Sequence, residues 1–270
     1  MPRKRSSSTA SAREQGPPVQ ATAYARAVAA GEVVAGPLVR LACARHLRDM
    51  DRKGLTWDRE EAERSVAFFP TVLRLNGGDF EGVPFELQPW QAFVVGSLFG
   101  WKVSGGARRY RVAYVEVAKG NGKSPLAAGV GLKMLTADNE PRAEVYSAAT
   151  KKDQAMILFR DAVAMVDQSP ALSKRLKKSG EDEKTWNLSY PATGSWFRPI
   201  SSDDGQSGPR PHCGLIDELH EHKTATTVNM MRKGTKGRRQ ALIFEITNSG
   251  YDRQSICWQH HDYSRRVLEG

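Results

Sequence analysis

No apolar run in the 270 residues approaches the roughly 20 needed to cross a bilayer, so no membrane span is expected. Cysteine is scarce. Cys43, Cys213 and Cys257 lie far apart and lack any paired spacing, which argues against a disulfide framework and for a reducing compartment. Acidic residues are in deficit: 30 Asp+Glu against 40 Lys+Arg leave a formal net charge of +10 and a pI near 9.6. That balance favours a polyanionic partner, nucleic acid first, and says nothing of the fold. The opening Arg3-Lys4-Arg5 leads into Ser and Thr rather than an apolar segment, unlike a secretory signal. No internal repeat is present, which excludes a solenoid or propeller.

What is there begins with Val117-Ala118-Lys119-Gly120-Asn121-Gly122-Lys123-Ser124. The preceding Tyr110–Val117 is mostly apolar and β-branched or aromatic, as a buried strand should be. The following Pro125–Leu135 reads as a helix with Pro in its first turn. Strand, Gly-containing turn, Gly-Lys-Ser and helix make the context in which a phosphate-binding loop is meaningful. Backbone N–H groups and the helix N-terminus would face a polyphosphate; Lys123 would reach the β- and γ-phosphates and Ser124 would ligate Mg²⁺. The usual first glycine is replaced by Val117, and a Gly-rich turn that merely passes strand into helix is the plainer reading.

A second motif raises the functional reading. Cys213-Gly214-Leu215-Ile216 is a short apolar run ending in Asp217-Glu218. In nucleotide hydrolases the first acid of such a pair holds Mg²⁺ and the second polarises the attacking water. Alone, the pair could be a solvated strand exit; with Lys123-Ser124 upstream, the catalytic reading is favoured. The two motifs are expected to meet at the carboxyl ends of neighbouring parallel strands.

Residues 1 to about 20 are basic and rich in Ser, Pro and Gln, and disorder is expected there. Val39, Cys43, Leu47 and Met50 draw one helical stripe over Pro37–Met50, and Asp58 is placed to cap a helix from Arg59. Asn76–Asp79 and Gly82–Pro84 punctuate the border of a helical region at 21–85. From 86 to 270 strands and helices alternate: Gln91–Phe99 is a buried helix, 144–149 and 195–200 are strands, and 241–247 follows the acidic strand. Such alternation predicts an α/β fold with a mostly parallel central sheet flanked by helices.

With both motifs placed, the order of elements from about Ala21 onward resembles the ATPase part of the large terminase subunit of tailed bacteriophages. The resemblance is carried by Tyr24–Glu32, Arg45–Asp49, Pro84–Gln91, the loop at 117–124, Tyr146–Thr150 with Gln154-Ala155, the acid pair, and Thr247-Asn248-Ser249-Gly250. It implies a P-loop NTPase of the ASCE type that uses ATP and Mg²⁺. It also implies roles: Gln91 for adenine, whose edge one amide can both donate to and accept from; Lys119, Gly120, Asn121, Gly122, Lys123 and Ser124 for phosphates; and Thr247, Asn248 and Ser249 for coupling hydrolysis to movement. Lys119 matches the early basic residue of terminase loops, commonly an arginine; a lysine lacks the bidentate fork. The plainer alternatives are a polar first-turn helix residue for Gln91 and a strand-ending turn for 247–250.

A ring ATPase also needs an arginine finger. Arg210 and Arg198 are candidates, against the plain reading of each as a surface arginine. Implied partners are double-stranded DNA, the portal of a procapsid, the small terminase subunit and further copies in a homo-oligomeric ring. The implied place is the host cell cytoplasm, transiently at the portal. Large terminases normally continue into a nuclease domain; the 270 residues hold no room for it, so DNA cleavage is not expected of this chain alone.

His220, His222, His260 and His261 could suggest zinc, but His220 and His222 are two apart and no Cys pair accompanies them. Trp186, Trp196 and Trp258 read as core or interface rather than base-stacking platforms. A motor ATPase for DNA packaging is the leading reading. A P-loop helicase or other nucleic-acid translocase would share Lys123, Asp217 and Glu218, and a basic DNA-binding assembly protein with a vestigial nucleotide site would need no hydrolysis.

Overall fold

The computed structural model describes residues 19–180, 184–201 and 208–270. The tail expected at 1–20 lies almost wholly outside them; Val19 is already buried and Gln20 opens the first helix. In chain order the elements are α1 Gln20–Ala29, α2 Pro37–Arg48, β1 Leu55–Trp57, α3 Arg59–Val72, α4 Pro89–Gly100, β2 Trp101–Val103, β3 Val112–Glu116, α5 Lys123–Thr136, β4 Glu144–Ala149, α6 Lys152–Asp167, α7 Pro170–Ser173, β5 Lys177–Ser179, β6 Asn187–Tyr190, β7 Ser195–Ser201, β8 Cys213–Ile216, α8 Thr226–Gly234, β9 Leu242–Thr247 and α9 Ile256–Glu269. Asp58 caps α3 as expected, its carboxylate accepting from the Glu61 N–H at 2.9 Å. The stripe expected on α2 is displaced: Cys43 and His46 are buried while Val39 is exposed. A histidine inside was not legible, because its ring is satisfied by distant residues. Trp101 Nε1 donates to its Nδ1 at 3.0 Å, Thr22 lies 3.2 Å from its Nε2, and burial pushes its pKa down to about 4.

Seven strands form the main sheet in the order β3-β9-β8-β4-β7-β6-β5. β3, β9, β8, β4 and β7 are parallel, and β6 and β5 close one side as antiparallel strands. The parallel strands are apolar on both faces because helices cover both. Alternate residues Val145, Leu215, Leu242, Phe244 and Ile246 pack with α3 to α6. Tyr146, Ala148, Ile216 and Ile243 face the other way, toward Val228 and Met231 of α8 and Cys257 of α9.

α5 is buried along nearly its whole length, which fits its apolar character all round. It approaches its neighbours closely through two glycines. A Cβ on Gly129 would come within 2.4 Å of Phe69 Cε1, and one on Gly131 within 2.8 Å of Leu215 Cδ1. The helix that begins at the candidate phosphate loop is thus clamped between α3 and the sheet. Residues of α3, α4 and Phe85 share one continuous core with the sheet.

At the edge of the sheet where the parallel strands begin lies a buried ionic cluster that no local sequence pattern announces. Arg108 Nη2 donates to Asp138 Oδ1 at 2.5 Å, His212 Nε2 lies 2.7 Å from Asp138 Oδ2, and Lys133 Nζ donates to Glu61 Oε1 at 3.1 Å over the face of Phe99. Burial favours the neutral acid at Asp138. The Arg108 charge, the His212 contact and Lys133 outweigh it and hold the carboxyl at about 2, while burial pulls Lys133 down more than its carboxylates lift it. Arg108 is therefore the main counter-charge.

Asp138→Ala strands that guanidinium, whose side chain is 1% exposed. Loss of about 3–5 kcal/mol is expected, read as a lower urea midpoint at pH 7. Because the folded carboxyl titrates below its unfolded value, the wild-type advantage should be complete above about pH 4 and vanish as pH falls toward 2. An advantage independent of pH across that window would refute the ionic account.

Candidate functional site

β3, β9 and β8 are parallel, so their carboxyl ends lie along one edge of the sheet. The expectation that the loop strand and the acidic strand are neighbours is corrected: β9 lies between β3 and β8. The physical consequence is that the segment after β9 is interposed between the loop and the acids. Register pairs Glu116 with Thr247, and the Val117 N–H donates to the Thr247 carbonyl at 3.0 Å.

The loop turns on Gly120 (φ 85°) and Gly122 (φ 71°), left-handed conformations that favour glycine. Gly122 caps α5, whose first residue is Lys123. Lys123 is 6% exposed; its Nζ donates to the Val117 carbonyl at 3.2 Å and to Asn248 Oδ1. The ammonium is thereby folded back across its own loop onto the segment after β9. Lys119, Gly120 and Asn121 are exposed, with Asn121 Nδ2 donating to the Ala118 carbonyl at 3.1 Å, and Ser124 is half-buried in the first turn of α5. Gln91 is 4% exposed and fills two positions at once. Its Oε1 accepts from the Gln88 N–H at 2.9 Å in the first turn of α4, and its Nε2 lies where a Cβ on Gly122 would be 3.4 Å away. Gln91 is thus a first-turn helix residue that also stands beside the loop.

Asp217 leaves β8 5% exposed. Burial, and then the neighbouring Glu218, push its carboxyl up to about 7 against the pull of the Glu218 N–H and Lys123. Lys123 only partly offsets the cost of a charge there. Glu218 sits at φ 42°, ψ 57°, a left-handed conformation costly for a residue with a Cβ, on the order of 1–3 kcal/mol. Its N–H donates to Asp217 Oδ1 at 2.9 Å. Thr247 is fully buried, Asn248 half-buried and Ser249 exposed.

Ser249 leads to a network that sequence reading missed. Glu116, the last residue of β3, accepts from Ser249 Oγ at 2.7 Å and Tyr114 Oη at 2.7 Å, and lies 2.8 Å from His261 Nδ1 on α9. Burial alone would raise the Glu116 pKa, but these three partners together lower it. The signal available in the sequence was a charged residue closing an apolar strand immediately before the loop.

Other candidates are not assembled here. Arg210 precedes β8, at the opposite edge of the sheet; its N–H donates to Glu144 Oε2 at 2.9 Å and its carbonyl accepts from Arg238. Arg198 lies within β7, stacked over Trp196 and Trp186, with Nε donating to Asn187 Oδ1 at 2.9 Å. His222 is buried, its Nε2 3.1 Å from the Asp217 carbonyl, and His260 faces Glu245. Among the described residues no group of three His, Cys, Asp or Glu side chains is arranged to hold a metal, and no helix is long and apolar enough to cross a membrane. Trp196 packs edge-on against Tyr146, Trp258 stacks on His261, and Trp186 is exposed.

Parts of the chain are similar to known proteins. One relative is the protein YmfN of Escherichia coli K12, 40% identical over 62 residues, which make up 23% of this chain and 13% of that protein. Another is the terminase large subunit of Enterobacteria phage HK97, 28% identical over 113 residues, 42% of this chain and 21% of that one. The chain thus matches about a fifth or less of the length of these relatives. The crystal structure of the HK97 large terminase superposes with a TM-score of 0.65 at 19% identity, covering 76% of this chain and 41% of that one, and so shares the fold. Residues 89–266, well over half of the chain and including every element of the site, match the family described as the terminase large subunit, ATPase domain. The protein belongs to that family of terminase ATPase domains.

Proposed function

We propose that this chain is the ATP-hydrolysing motor of a bacteriophage terminase that translocates double-stranded DNA into a procapsid. The observation that supports it most is the meeting, at the ends of β3, β9 and β8, of Lys123, Asn248 and the Asp217-Glu218 pair. In this reading Lys123 exchanges Asn248 Oδ1 for the β- and γ-phosphates when ATP enters. Hydrolysis restores the contact, so the segment after β9 feels the phosphate through one lysine. In the same reading Gln91, held beside Gly122, would hydrogen-bond the adenine, and Glu218 would orient the attacking water.

The donors fit magnesium: Ser124 and Asp217 offer hard oxygens only, and Asp217 is a buried carboxylate in want of positive charge. When bound there, Mg²⁺ neutralises charge on the phosphate oxygens. The portal, the small terminase subunit and a ring of copies are the proposed partners, in the host cytoplasm.

The test is ATP turnover by the purified chain with and without duplex DNA, together with DNA binding across a salt series. Hydrolysis that requires Mg²⁺ is expected, with sequence-independent binding whose log–log salt slope is about −0.9 per neutralised phosphate. Binding without any hydrolysis would instead make the chain a DNA-binding assembly protein, and strand separation would make it a helicase.

A further inference from the structure

His220, two residues beyond Glu218, has no part in the nucleotide reading, yet it touches both halves of the site. Its backbone N–H donates to Thr247 Oγ1 at 3.1 Å, and its ring Nδ1 is 3.1 Å from the same hydroxyl. Nδ1 is also 3.3 Å from Glu218 Oε2, within ion-pair distance, and that buried oxygen has no hydrogen-bond partner. The single proton of the Thr247 hydroxyl goes to the Asn248 carbonyl at 2.9 Å. Toward the ring, Thr247 Oγ1 can then only accept, which places the imidazole proton on Nδ1. The Nδ1–H is thus held by the end of β9, with the unpartnered Glu218 oxygen 3.3 Å from the same nitrogen.

The surroundings leave the ring little freedom. A Cβ on Gly250 would be 3.3 Å from His220 Cβ, so the segment after β9 walls it in. Glu218 is already committed to a left-handed backbone. From His220 the contacts run to Thr247, to the next residue Asn248, and from Asn248 to Lys123.

We propose that His220 is a positioning residue: its Nδ1–H fixes the Glu218 carboxylate in register with the end of β9. This rests on Glu218 being the group that activates water. The ring orients that carboxylate and does not contact the nucleotide, so removing it slows the chemical step and leaves binding intact.

The experiment compares wild type, His220→Ala, His220→Asn, Thr247→Val, the His220→Ala/Thr247→Val double variant and Glu218→Gln, all as the full chain. It measures kcat and KM for ATP, and affinity for a fluorescent non-hydrolysable ATP analogue. His220→Ala should lower kcat on the order of 100-fold, the scale of a misplaced catalytic group, with KM and analogue affinity unchanged. His220→Asn, whose amide nitrogen can stand where Nδ1 does, should recover most of the loss. The double variant should be no slower than the worse single variant.

Wild-type kcat in His220→Ala would overturn the proposal. So would equal impairment of the Ala and Asn variants, an Asn variant that fails to fold, or a loss of analogue affinity as large as the loss of kcat. If Glu218→Gln is inactive while His220→Ala is normal, only the His220 proposal fails. If Glu218→Gln turns over like wild type, the assignment of Glu218 itself fails.

Discussion

Glu218→Gln should bind ATP with near wild-type affinity and hydrolyse it about 100- to 1000-fold more slowly, equivalent to about 2.7–4 kcal/mol of transition-state stabilisation. The amide keeps the size of the side chain. What it loses is the charge and basicity that draw a proton from water. The left-handed backbone at 218 is unaltered by the change, so folding should be preserved. Lys123→Ala is the contrasting variant: it removes the ammonium buried between Val117 and Asn248 and should lose nucleotide affinity itself. Equilibrium binding of a fluorescent ATP analogue, set beside single-turnover hydrolysis, separates the two. Wild-type turnover by purified Glu218→Gln would remove the residue from the chemistry.

Turnover per subunit should also rise steeply with assembly. Lys123, Ser124, Asp217 and Glu218 gather at one edge of the sheet, but Arg210 stands before β8 at the other edge and cannot serve its own site. Presented to a neighbour in a ring, it could supply a charge worth about 10³-fold or more in rate. Specific activity should therefore climb with protein concentration or on docking to a portal-bearing procapsid. Wild-type chains mixed with Glu218→Gln chains should lose more activity than dilution accounts for. Specific activity that stays flat from dilute chain to assembled complex would eliminate the trans arginine and leave Lys119, exposed on the loop, as the source of positive charge in cis.

The parts of the site legible in the sequence are those whose meaning is local. Gly120 and Gly122 read as a turn because only a residue without Cβ adopts their positive φ cheaply. Asp58 read as a cap because its carboxylate serves an N–H three residues on. Asp217-Glu218 read as an acid pair because an apolar strand runs directly into it. The doubly buried strands likewise announced a parallel, helix-covered sheet through their continuous apolar character.

What only the tertiary structure decided depends on residues far apart in the chain. The strand order is one such matter: β9, last in sequence, enters between β3 and β8, and no local pattern records which edge a strand joins. That insertion is why Asn248 meets Lys123 across 125 positions of sequence and why Thr247 meets His220. The same holds for His46 and for the Arg108–Asp138–His212 cluster, polar side chains kept inside by partners that the fold alone supplies. A motif fixes the chemistry that a few neighbouring residues can offer. Which of those groups share a hydrogen bond is set by long-range packing, because the cost of burying each polar atom is met by whatever the folded chain brings beside it.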